Sequence, residues 1–125
     1  MNPDRPRTWY HKFRDAFRGC KFGLRWQSSF AVHFFAAALV LLTARVLQVE
    51  RWEWCVLLIC ITVVLTAEMV NSALEFLARA ITSEVHPEIG RALDTGSAAV
   101  LVAAIGASVI GLAVFVPHLW RLAAN

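Results

Sequence analysis

The chain has no glycine-rich G-x-x-x-x-G-K-(S/T) loop of the kind that follows a strand and cradles nucleotide phosphates, which excludes a P-loop kinase. Cysteine is scarce. The three present, Cys20, Cys55 and Cys60, are odd in number and match no metal-ligand spacing, so neither a disulfide framework nor a zinc site is expected. Cys55 and Cys60 lie in an apolar stretch, where cysteine behaves as a small hydrophobe. Charge is also sparse: 17% of residues are charged against 58% hydrophobic, more apolar surface than a soluble domain of 125 residues can hide. Membrane integration is therefore the first expectation, as one unit with no room for a second domain. No short apolar core with a small-residue cleavage site follows the basic N-terminal segment, so the first span is expected to act as its own targeting element. The basic segment carries no nucleic-acid-binding motif, and no nucleic-acid partner is expected.

What charge there is lies unevenly. Seven of the twelve Lys and Arg residues (Arg5, Arg7, Lys12, Arg14, Arg18, Lys21 and Arg25) precede residue 26, an arm suited to anionic lipid. Residues 1–8 read as a tail. Over 9–27, Trp9, Phe13, Phe17, Phe22 and Trp26 are interleaved with basic residues, which predicts an amphipathic helix lying in the membrane interface. Apolar runs over 29–49, 52–82 and 94–117 predict three transmembrane helices, with Trp52, Trp54 and Trp120 as interfacial anchors. The third run is rich in small residues, including Gly96, Gly106 and Gly111, and suits close helix contacts. The expected fold is an all-α membrane protein. The arm, with Arg79 and Arg91, sets nine positive charges on one side against Arg45, Arg51 and Arg121 on the other, which predicts a cytoplasmic N-terminus.

Within the second run stand Glu68, Asn71 and Glu75, at spacings that place all three on one helical face. A carboxylate at bilayer depth costs about 2.5–3.5 kcal/mol on insertion scales. At ~1.5 Å per residue from Trp54, Glu68 lies ~21 Å in and Glu75 ~31 Å in, so the row climbs from the inner leaflet to the cytoplasmic boundary. Depth alone suits Glu68 to act as general base on a lipid hydroxyl and Glu75, nearer water, to hold a divalent cation, with Asn71 orienting either. Asp94 and the stretch from Arg25 to Ser29 reach comparable depth. A polar seam that merely joins helices is the plainer alternative for the same residues. His33 reads as a structural hydrogen-bonding residue, and Glu84 and His86 as a loop with possible nucleotide contact.

The segments Glu68-Met-Val-Asn71-Ser-Ala-Leu-Glu75, Ser83-Glu84-Val-His86-Pro and Gly90-Arg-Ala-Leu-Asp94-Thr-Gly-Ser97-Ala-Ala-Val, in this order, resemble the prokaryotic diacylglycerol kinase family, which includes undecaprenol kinases. The likeness extends over most of residues 13–117, including Phe13, Ala16 and Gly19 in the arm. It implies a homotrimer in the bacterial inner membrane that transfers the γ-phosphoryl of MgATP to a lipid hydroxyl, of undecaprenol or diacylglycerol, at sites shared between protomers. His86-Pro87 and Val116-Pro117 lean towards the undecaprenol branch. By the resemblance Glu68 takes the place of the catalytic base and Glu75 that of a magnesium-binding acid. Asn71 and Asp94 take polar positions of the site.

Three positions depart from the pattern. Gln27 stands where the family has a second metal-binding Glu, Leu93 where it has Lys, and Arg79 where an acid is common. Gln27 binds Mg²⁺ only through a neutral carbonyl, so metal affinity should fall. Arg79, Arg91 or Arg25 are candidates to supply the lost phosphate-binding charge. The same departures support a rival expectation, a catalytically impaired or non-catalytic membrane oligomer that binds lipid or nucleotide. An ion or proton channel would leave the Asp94-Gly96-Ser97 block without a purpose.

Overall fold

The computed structural model describes residues 8–26 and 28–124, and the side chains of these other than 23–29. The described residues form four helices and no strand: α1 Trp9–Trp26, α2 Ser28–Val46, α3 Arg51–Ile81 and α4 Pro87–Ala123. α3 and α4 pack antiparallel, Glu53 meeting His118 near one end and Asn71 meeting Gly96 towards the other. α2 lies against α3, and α1 touches the two.

Each helix end has a local cause. At the end of α2, Gln48 adopts φ 51°, and the Val49 N–H reaches back to the Ala44 carbonyl at 3.2 Å. This is the left-handed closure of a Schellman motif, in which the residue after the left-handed one touches the residue five before it. Val49 and Ala44 are accordingly both buried, in a cluster with Leu57 and Val114. Placing a side chain at positive φ costs about 1 kcal/mol, which burial of that apolar contact offsets. α3 opens with a capping box, in which the Glu50 N–H donates to Glu53 Oε2 at 2.7 Å. It closes at Thr82, whose hydroxyl accepts from the Glu84 N–H at 3.0 Å. α4 starts with His86 as N-cap and Pro87 in the first turn, where a missing N–H has no consequence. The helix runs through Pro117 to Ala123, so it extends beyond the apolar run over 94–117 at both ends.

α3 and α4 are both long and apolar enough to cross a membrane, with mean hydropathies of 2.0 and 2.7 over their most apolar stretches. α2 has 19 residues, about 28 Å of helix against ~30 Å of hydrocarbon. Only 11% of the apolar stretch of α4 is buried within the chain. Ile59, Val102, Ile105 and Leu112 all face outward. In water that surface would be untenable. The protein is a membrane protein. α1 shows its aromatic row outward as well, Trp9, Phe13, Phe17 and Phe22 being exposed, with Lys12 Nζ 4.6 Å above the Trp9 ring.

Candidate functional site

The row anticipated on α3 is present as a row. Glu68, Asn71 and Ser72 are buried, Glu68 to 2% exposure, while Glu75 is half-buried and Arg79 exposed. Asn71 Nδ2 donates to Glu75 Oε1 at 3.1 Å, and Arg79 Nη2 donates to Oε2 of the same carboxylate at 3.2 Å. Each partner stands one helical turn from Glu75, the spacing at which helical side chains meet. Glu75 is thus held from below by an amide and from above by a guanidinium. Arg79 also lies over the Phe76 ring, 5.9 Å from its centroid.

Two buried oxygens in this row have no hydrogen-bond partner among the described residues: Glu68 Oε1 and Asn71 Oδ1. Buried polar atoms are nearly always paired, and leaving one unpaired costs about 1–3 kcal/mol. Asn71 Oδ1 points at the backbone of Gly96 on α4. A Cβ at that position would lie 2.5 Å from the oxygen. Glycine is therefore what lets α4 approach the amide. Across from Glu68 stands His33 on α2, its Nε2 3.9 Å from Glu68 Oε2.

The remaining anticipated residues are placed differently. Asp94 is exposed, two residues from the Asn71–Gly96 contact. Among the described residues no three acids, histidines or cysteines gather as a metal-binding group. Arg91 pairs with Glu88 at 2.7 Å, so its charge is already engaged on the surface. Glu84 and His86 are exposed in the α3–α4 loop. Gln27 and the side chain of Arg25 lie outside the described residues. The three cysteines are free thiols.

Two contacts come from packing between helices and have no local signal. His33, read from the sequence as a structural hydrogen-bonding residue, is set beside Glu68 by the packing of α2 on α3. Glu53 and His118 form a buried pair at 2.9 Å, at the opposite end of α3 from Glu75. The Glu50-x-x-Glu53 spacing signalled the cap, though nothing local signalled the histidine.

Beneath the Glu68 level an apolar cleft of about 400 Å³ opens between α2, α3 and α4. Ala36, Ala37, Val64, Ala104 and Ala107 are among its walls, and His33 and Ser108 contribute polar groups.

The described residues thus form an all-helical membrane protein with a buried acid and amide beside a half-buried acid. The chain belongs to the prokaryotic diacylglycerol kinase family, whose profile matches residues 14–115. The undecaprenol kinase of Bacillus subtilis is 31% identical over 111 residues, which span 89% of this chain and 90% of that protein. The diacylglycerol kinase of Synechocystis is 31% identical over 111 residues, 88% of this chain and 63% of that protein. The diacylglycerol kinase of Escherichia coli (strain K12) is 37% identical over 79 residues, 63% of this chain and 65% of that protein. The family and these relatives are lipid kinases, and the chain is by membership an enzyme of that transferase class.

Proposed function

We propose that this protein transfers the γ-phosphoryl group of ATP to the hydroxyl of a membrane lipid alcohol, undecaprenol or diacylglycerol. The observation that carries the reading is the Glu68 carboxyl, which is withdrawn from water, has one oxygen without a partner among the described residues, and lies about two turns from a second acid nearer solvent. Glu68 accepts the proton of the acceptor hydroxyl through that open oxygen. Asn71 orients Glu75, and Gly96 holds α4 close enough to keep the amide in place.

Glu75 fits a magnesium ion delivered with the nucleotide, since Mg²⁺ takes one or two carboxylates and fills its remaining positions with phosphate oxygens and water. Gln27 is its second ligand in this reading. When bound, the ion neutralises charge on the phosphates. Phosphoryl transfer otherwise requires mainly positioning, which a row of fixed side chains supplies without a nucleotide-binding domain.

The N-terminal arm and the α3–α4 loop face the cytoplasm, α2 spans the inner membrane together with α3 and α4, and three copies assemble. Arg25 and Asp94 complete the nucleotide side of the site. Undecaprenol is the first acceptor to test, because the match to the undecaprenol kinase covers nine tenths of both chains.

The test is phosphorylation of undecaprenol and diacylglycerol, side by side, by the purified protein with labelled ATP and Mg²⁺. Transfer to one of them, lost in Glu68→Gln, is the expected result. Full activity in Glu68→Gln would sink the base assignment. A second reading rests on Gln27 and Leu93, which take away a carboxylate and a cation: a membrane oligomer that binds nucleotide without turnover. Thermal stabilisation by ATP with no transfer to either lipid would favour it.

A further inference from the structure

His33 is the partner that the structure gives Glu68 from another helix. Its Nε2 lies 3.9 Å from Glu68 Oε2, beyond hydrogen-bond length and within ion-pair reach, with the carboxyl side chain 2% exposed and the imidazole 23%. From Phe30 to Val40, α2 is apolar apart from His33. On α3 the residues that line the cleft, Leu57, Ile61 and Val64, continue at helical spacing into Glu68. The imidazole therefore stands where the apolar cleft meets the acid.

A glutamate carboxyl turns about a terminal torsion that is broad and two-fold. With neither oxygen held, its two oxygens exchange places and its plane wanders. A donor fixed on Oε2 removes that freedom and leaves Oε1 facing the reaction. Oε1 is the oxygen without a partner among the described residues.

We propose that His33 is a positioning residue for Glu68, holding Oε2 through an Nε2–H so that Oε1 alone receives the proton of the acceptor hydroxyl. This rests on the reading of Glu68 as base. The lipid O–H bond breaks and its proton goes to Oε1. The lipid oxygen bonds to the γ-phosphorus as the bond to the ADP oxygen breaks. His33 keeps its proton throughout.

The test uses the full-length protein in lipid vesicles with MgATP and the better of the two acceptors. Glu68→Gln should lower kcat by at least about 10²-fold, the scale of general-base catalysis. His33→Leu, which removes the donor, should lower kcat by about 10–10²-fold, the cost of a misplaced group. The KM values for ATP and lipid should stay within about twofold, since the lost interaction serves the transition state. His33→Gln, which restores an N–H, should recover most of the loss. Independently of activity, the ring ¹⁵N resonances of His33 should move in Glu68→Gln.

Wild-type kcat in His33→Leu would overturn the proposal, as would a rise confined to the lipid KM, which would make His33 only a wall of the cleft. If His33→Leu fails to fold, the His33→Gln kinetics and the ¹⁵N shift in Glu68→Gln decide. Retained activity in Glu68→Gln removes the base reading itself, whereas Glu68→Gln inactive with His33→Leu unaffected removes only the role of His33.

Discussion

Gly96→Ala isolates one contact of the site with a single methyl group. The added Cβ would lie 2.5 Å from Asn71 Oδ1 and 3.1 Å from Leu74 Cδ1. To restore ordinary van der Waals contact the amide oxygen must retreat by about 1 Å. Asn71 is buried, and its nitrogen is bound to Glu75 at 3.1 Å, so rotating the oxygen away carries the nitrogen off the carboxylate. Overpacking of this kind costs about 1–3 kcal/mol. The helix gains back about 0.8–1.0 kcal/mol because alanine is the better helix former. Net destabilisation should therefore be small, about 0–2 kcal/mol, whereas a shift of 1 Å in a catalytic constellation costs on the order of 10²-fold in rate. The assay is lipid phosphorylation with MgATP alongside thermal inactivation. Gly90→Ala on the same helix, where a Cβ meets nothing within 4 Å, serves as the control and should keep wild-type activity. In an Asn71→Ala background the added Gly96→Ala should cost less than about threefold, because the clashing group is gone. Wild-type turnover in Gly96→Ala, or an equal loss with and without Asn71, would refute the argument.

Arg79→Ala frees one oxygen of Glu75 from an exposed ion pair. Stability should change by less than about 1 kcal/mol, and the Mg²⁺ needed for half-maximal rate should fall by about fivefold, the equivalent of ~1 kcal/mol. A rise in the KM for ATP instead would place Arg79 on phosphate. Gln27→Glu adds a carboxylate at the position proposed as second magnesium ligand, and a Mg²⁺ titration of activity should shift to lower concentration; no shift would remove residue 27 from the proposed metal site. His118→Leu leaves Glu53 buried without its partner and should lower thermal stability by about 1–3 kcal/mol with kcat unchanged. A loss of kcat at full stability would contradict a purely structural pair.

Features that repeat along one helix were legible in the sequence. The spacings of Glu68, Asn71 and Glu75 placed them on one face, and the Asn71–Glu75 and Arg79–Glu75 bonds follow from the same periodicity. The basic-aromatic alternation of the arm likewise became the outward aromatic row of α1. Features that depend on how one helix is rotated against another were not legible. His33 has no sequence spacing to Glu68, and Glu53 lies 65 residues from His118. The left-handed Gln48 escaped for another reason. The sequence offers no glycine there, and the conformation is imposed by burial of Val49 against Ala44. The first of the three expected spans, α2, is the point at which length decides. α2 stops at Val46 because the chain turns there, so its helix is only about as long as the hydrocarbon is thick.

Two buried acids of α3, Glu53 in its first turn and Glu68 near its middle, are held differently. Glu53 accepts from the Glu50 backbone N–H and meets His118, both on Oε2. Glu68 is buried more deeply, yet His33 on α2 stands 3.9 Å from one of its oxygens and the other has no partner among the described residues. Asn71, one turn on, repeats the pattern with Oδ1. If the acids served only to hold helices together, the economical solution is the one already used at Glu53. Two open buried oxygens on neighbouring turns each carry a cost of about 1–3 kcal/mol, which packing in the rest of the helix has to offset. Polar atoms with no partner among the described residues, above an apolar cleft, are compatible with the proposed site for a lipid hydroxyl.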